Sequence, residues 1–372
     1  MLRFLRPRTA AVLFFLCAGT IGFSQPRTAA TANDVPAALK ALWPPGQPGV
    51  DYNVTDSKGM RQGTWMRVYP SGALYYLGEF RGGKPTGTFT FYYETGEKMT
   101  VVVHDANGEG MLAKHYRQDG SLRAEGRYLA TEKRNAEGEI EREKDGQWKY
   151  YDEQGGLRVE EHYRQGKQHG ASRSLGARGE VLESGFWKSG AKDSTWTVFT
   201  PQGTTESQLT YVNGLLNGPQ TTYFESGKIE ATGSNKDGMP DGKWTYYGTD
   251  GQIRSYVHFN RGKWVSEERI HGTFEEFRDD GRPKSTTTYR NGKLHGPFRE
   301  WHDTGGYEVI ETIDQTTGNP ERKQVLSGLQ VSRQGEYFQG QLQGQVTFFD
   351  LNGKVEKVET WEKGVLKSSG PR

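Results

Sequence analysis

The chain has 372 residues, with 48 basic and 46 acidic side chains, 50 glycines, 33% hydrophobic residues and 12% aromatic residues. So few aliphatic residues argue against a compact domain with a thick core, and so many aromatics argue against disorder. The balanced charge excludes the basic stripe of a nucleic-acid binder and gives peripheral membrane contact no electrostatic support.

Residues 1–24 read as an export signal. Arg3, Arg6 and Arg8 precede an apolar run from Ala10 to Phe23, and the small residues Gly22 and Ser24 suit cleavage before Gln25. The run is shorter than the roughly 20 residues of a spanning helix, and a retained anchor is the alternative. Cys17 follows Leu16, where a lipoprotein signal wants a small residue. Cleavage would leave no cysteine and 45 basic against 46 acidic side chains. The expected location is periplasmic, on the outer surface, or secreted. Residues 25–58 form a Pro-rich linker that includes Trp43-Pro-Pro-Gly-Gln-Pro. Within it Asp34 caps a short predicted helix over Val35–Leu42, placed to cover the first edge strand.

From residue 59 to 367 a unit of 24 residues recurs about twelve times, and residues 368–372 form a tail. With the first glycine as position 0, units start at Gly63, Gly87, Met111, Gly146, Gly170, Ser194, Gly218, Gly242, Gly272, Gly296, Pro320 and Gly344. Two steps are longer, by eleven residues before Gly146 and six before Gly272. The eleven fall in a charged stretch at 130–142 that reads as a surface loop. Positions 1 to 6 predict a strand, and a turn such as Tyr69-Pro-Ser-Gly72 reverses the chain. Positions 10 to 17 return it, and a second turn follows, as at Asn213-Gly214 and Asn291-Gly292. The Pro320 unit is degenerate, since its glycine, Gly328, falls one place early.

Side-chain alternation sorts the aromatics into columns. Position 2 carries Trp65, Phe89, Trp148, Trp196, Trp244, Phe274 and Phe298; position 5, on the other face, carries Tyr92, Tyr151 and Trp301 among others; position 17 carries Phe80, Tyr163, Trp187 and their equivalents. A small residue is frequent at position 15. The predicted fold is all-β: an elongated, twisted single antiparallel sheet of tandem hairpins in which cross-strand aromatic pairs replace a globular core.

The unit in Gly146-Gln-Trp148-Lys-Tyr-Tyr151 and Tyr289-Arg-Asn-Gly-Lys293-Leu-His-Gly296 resembles the MORN-repeat variant family. Met111, Ser194 and Pro320 depart from the pattern at position 0, and His104 and Asn235 at position 17. The resemblance implies protein scaffolding or phospholipid contact, and bacterial relatives are labelled antitoxin-like. No nucleophile–base signature, phosphate loop or metal motif is present in the sequence. His169 and His295 each sit one residue before a repeat glycine and read as turn packing, while His115, His258 and His302 lack partners at metal-ligand spacing. The expected function is an exported scaffold for protein–protein interaction in the cell envelope, without catalysis, cofactor or metal. The alternative is a module that binds envelope glycan or choline-like cations through an exposed aromatic column, with Trp65, Phe89, Trp148, Trp196, Trp244, Phe274 and Phe298 as the binding residues.

Overall fold

A computed structural model of the chain describes residues 52–131, 142–313 and 319–371. The export signal, the short helix and most of the charged insertion lie outside the described residues. Those residues form 27 strands and no helix. The chain divides into two compact units at Gln220/Thr221.

In the first unit each strand pairs antiparallel with its neighbours in sequence, from Val54–Thr55 to Thr205–Val212. The end of the expected linker joins this ladder. Val54–Thr55 pairs with Arg61 and Gln62, and the Asn53 side chain accepts a hydrogen bond from the Met66 N–H at 2.9 Å. A two-residue edge strand leaves little backbone free for stray pairing.

Each repeat is one hairpin. The strand Arg61–Val68 turns at Tyr69–Ala73, where Gly72 has φ 88° and its N–H donates to the Tyr69 carbonyl at 2.8 Å. The return strand Leu74–Arg81 then meets a two-residue turn. Such turns have positive φ at both residues, 50° and 84° at Asn213-Gly214 and 52° and 74° at Asn291-Gly292. That is the type I′ geometry whose twist matches the flanking strands.

The glycine at position 0 sits in a β-bulge. Around Gly146, with φ 65°, one residue of one strand faces three of the other, as the register moves from Arg127↔Asp145 to Glu125↔Lys149. Met111 departs from the pattern because its repeat has no bulge: His104↔Met111 through Thr100↔His115 pair without a shift. Ser194 keeps the bulge at φ 59°.

In the second unit the same pairing runs from Ile229–Lys236 to Lys263–Arg269. The predicted single sheet is interrupted there. Lys263–Arg269 pairs with Ile253–Asn260, and Gly272–Phe277 pairs with Pro283–Arg290. The six extra residues stretch one first strand, so that its two halves pair with different neighbours and a seven-stranded sheet begins at Gly272.

The Pro320 repeat needs correction as well. Gly296 pairs with Tyr337 in the register that Gly146 makes with Tyr163. Between them Gly306–Ile313 and Pro320–Ser327 form a separate two-stranded hairpin inserted in the turn. The insertion equals one period in length, so periodicity alone counts it as a repeat. The described ladder holds eleven repeat hairpins.

Deleting residues 306–329 joins Gly305 to Gln330 and restores an ordinary repeat turn. We expect this variant to keep the melting temperature of the full chain to within a few degrees. A large loss of stability on thermal unfolding would show that the hairpin is integral to the ladder.

Candidate functional site

The position-2 column is buried. Phe89, Trp148, Trp196, Trp244, Phe274 and Phe298 are between 1% and 6% exposed, and Trp65 is partly buried. These are the residues the sequence offers as a stacking platform, and a platform needs accessible ring faces. The structure places them inside the packing.

The glycine frequent at position 15 explains how a sheet one layer thick covers an indole. A Cβ at Gly126 would overlap the Trp148 ring, at Gly185 the Trp196 ring, at Gly233 the Trp244 ring and at Gly78 the Phe89 ring. Each ring therefore lies across the neighbouring strand where a side chain is missing, opposite the bulge. The indole N–H reaches a backbone carbonyl one residue further on. Trp148 Nε1 donates to Arg127 O at 3.0 Å, Trp196 Nε1 to Phe186 O at 3.1 Å and Trp244 Nε1 to Ser234 O at 3.1 Å. A cation two residues before position 0 covers the rings from above. Lys144 Nζ lies 4.7 Å from the centre of Trp148, 5.0 Å from Tyr150 and 4.9 Å from Tyr163. Lys192 lies 3.7 Å from Trp196, and the Arg61 guanidinium 4.7 Å from Trp65. Cation–π attraction is strongest where water is excluded.

Around Trp148 the polar groups form a continuous chain. Lys144 donates to Tyr150 Oη at 2.7 Å, Tyr150 and Tyr163 hydroxyls are 3.2 Å apart, Tyr163 donates to Glu161 at 2.6 Å, and Gln168 donates to Glu161 at 2.8 Å. Burial lowers the Lys144 pKa against the pull of Glu161, and raises the Tyr150 and Tyr163 hydroxyls. On the other side His115, 5% exposed, stacks on Trp148 with centroids 5.9 Å apart. Its Nδ1 is 3.0 Å from Thr100 Oγ1 and its Nε2 3.2 Å from Tyr128 Oη. Burial, with Arg142 and Lys144 nearby, depresses its pKa to about 4, and burial pushes the Tyr128 hydroxyl up to about 12. Every group in this cluster is committed to a neighbour in the same cluster, so its chemistry is that of a clamp.

A second contact joins repeats at the five-residue turns. The side chain at position 6 donates to the carbonyl at position 5 of the next repeat: Tyr69 to Tyr92 O at 2.8 Å, Tyr93 to Tyr116 O at 2.9 Å, Arg278 to Trp301 O at 2.9 Å, and His302 Nε2 to Phe349 O at 2.8 Å. Arg117 does the same to Tyr151 O across the charged insertion. His302 thus joins the Gly296 repeat to the Gly344 repeat, consistent with the inserted hairpin. His169 packs on Phe186 and His295 on Phe338 beside their turns. Among the described residues no group of three or more His, Cys, Asp or Glu side chains is placed to hold a metal ion.

The position-2 aromatics and position-15 small residues are visible in sequence; their pairing across strands is not, because they belong to different repeats. The position −2 cation and the position-6 staple escape the pattern because different residue types fill them.

The MORN repeat variant family matches residues 144–165, 216–235 and 240–261. The chain carries MORN-variant repeats, and these segments hold the Trp148 and Trp244 sites. No curated protein matches. Among solved structures, TcdB2-TccC3 is 12% identical over 80% of this chain and 20% of that chain, with a TM-score of 0.14. The Tc holotoxin pore of Photorhabdus luminescens is 11% identical over 86% of this chain and 18% of that chain, with a TM-score of 0.15. This chain therefore spans about a fifth of the length of the solved chains it matches, and likeness at these scores carries no functional meaning.

Trp148→Ala should destabilise the first unit by about 3–5 kcal/mol in chemical denaturation. Gly126→Ala should cost about 1–3 kcal/mol by overpacking and become nearly neutral when combined with Trp148→Ala. Additive effects in that double-mutant cycle would disprove the glycine seat. The depressed His115 pKa has a defined sign: below pH 6.5 the unfolded state takes up the proton first, so stability falls with acidity until about pH 4. Relative to His115→Phe, the native chain should lose about 3 kcal/mol across that window, near 1.4 kcal/mol per pH unit. Parallel pH profiles for the two proteins would refute the assignment.

Proposed function

We propose that the chain is an exported, non-catalytic scaffold that binds a protein partner in the cell envelope along the face opposite the aromatic column. The observation that carries this reading is the burial of the column rings, whose faces are covered by neighbouring side chains and strand glycines. The opposite face presents charges at strand spacing. Lys114, Glu125, Lys149, Glu160 and Arg173 stand directly opposite one another across five consecutive strands. Lys114 and Glu125 are 3.4 Å apart, Lys149 and Glu160 are 3.9 Å apart, and Arg173 pairs with Glu160. A row of alternating charge suits the mixed surface of a folded protein better than a polyanion, because charge pattern governs partner choice and encounter. MORN-variant repeats fit this scaffold role, and export rests on residues 1–24.

The test is photo-crosslinking from the native envelope fraction. A crosslinking residue at Lys114 or at Arg173 should capture the same protein. With the crosslinking residue at Lys149 instead, replacing Lys114 and Arg173 with serine should reduce capture about tenfold, with an unchanged melting temperature. Retention of the chain on envelope polysaccharide with no crosslinked protein would overturn the proposal.

A further inference from the structure

The inserted hairpin of the second unit carries some of the most exposed apolar side chains of the chain. Tyr307, Val309 and Ile313 project from one face of the strand Gly306–Ile313 at 48%, 60% and 71% exposure. Ile310 and Val325 are both exposed on the other face. The repeat ladder holds only the base of this hairpin. Arg282 donates to Thr304 O, Gly305 O and Asp303, and Tyr307 donates to Gly281 O at 3.0 Å. Among the described residues its two strands pair only with each other. Each therefore has an unpaired edge of eight residues, and a two-stranded hairpin alone is marginal in water.

The two edges differ. Pro320–Ser327 has Arg322 and Lys323 near its middle and starts with a residue that lacks an N–H, which are the usual devices against edge pairing. Gly306–Ile313 has Val309-Ile310 at its middle and no basic residue. We propose that this edge pairs antiparallel with the same edge of a second copy of the chain, with the two-fold axis at Ile310. This inference stands independently of the envelope partner proposed above.

Charge, face and apolar pairing together select that register: an axis at Val309 also keeps like charges apart, but it sets Tyr307 against Glu311 and Ile310 against Glu308. With the axis at Ile310, Tyr307 of each copy stands opposite Ile313 of the other, Glu308 opposite Thr312, Val309 opposite Glu311, and Ile310 opposite itself. No like charges meet, and the Tyr307–Val309–Ile313 face continues from one hairpin to the other. Moving the axis to between Val309 and Ile310 sets Glu308 against Glu311 twice, and moving it to Glu311 sets that carboxylate against itself. Like charges directly opposed destabilise a pair of strands. The product is a four-stranded sheet, which meets the three-strand threshold for independent stability, closed by a self-complementary two-fold contact.

Sedimentation of the full chain should show a dimer that is lost in two variants, deletion of 306–329 and Ile310→Lys. Both should keep the melting profile of the repeat ladder. In a Cys17→Ser background, Ile310→Cys should form a covalent dimer on mild oxidation, because directly opposed residues bring their Cα atoms within disulfide reach. Val325→Cys, on the protected strand, should not. A monomeric full chain, a dimer that survives the deletion, or equal crosslinking at both positions would overturn the proposal.

Discussion

The structure depends on covering an indole ring in a sheet that, among the described residues, has no second layer. A sheet normally buries its apolar face against a helix or another sheet. Here the neighbouring strand supplies the cover by omitting a side chain. Trp148, Trp196 and Trp244 lie on Gly126, Gly185 and Gly233, each opposite a bulge that carries the position-0 glycine or Ser194. The same arrangement gives the indole N–H a backbone carbonyl. The bulge residue and the position-15 glycine of each such pair of strands thus have separate tasks, one supplying backbone conformation and the other space.

Trp148, Trp196 and Trp244 recur every second repeat, and Ser172 and Gln220 fill the intervening positions. The position-15 residues alternate in the opposite sense, with Gly126, Gly185 and Gly233 before the indoles and Glu161 and Leu209 before the smaller residues. A large side chain on one strand is matched by an absent one on the next, which keeps local volume even, as close packing requires. Buried Glu161 is acceptable in this scheme because Tyr163 and Gln168 satisfy its oxygens.

Most of the architecture is legible in the sequence because its signals are local. The Asn-Gly turns, the glycine at position 9 and the strand alternation each specify their own geometry within a few residues. The errors arise where length is the only signal. The hairpin at 306–327 occupies one period of chain, so the spacing on either side is undisturbed; the early Gly328 marks the unit as irregular, and the pairing of Gly296 with Tyr337 shows why. The six extra residues before Gly272 register in sequence only as added length, yet they extend a strand across a change of sheet. The aromatic column is legible as a column, but its burial depends on Lys144, His115 and Gly126, which come from other repeats or from the segment between repeats.

The two kinds of turn have unequal freedom to vary. A two-residue turn must follow the twist of its strands, with both φ values positive, so a single added residue would change the turn type. The five-residue turn has no such restriction, and at Gly305 it accommodates a whole extra hairpin while the flanking strands stay in register. Extra chain is accepted on the other rim too, where eleven added residues precede Gly146 and Leu129↔Glu143 still pair. A lineage of such proteins could graft new recognition elements on either rim, one at a time, without redesigning the frame that carries them.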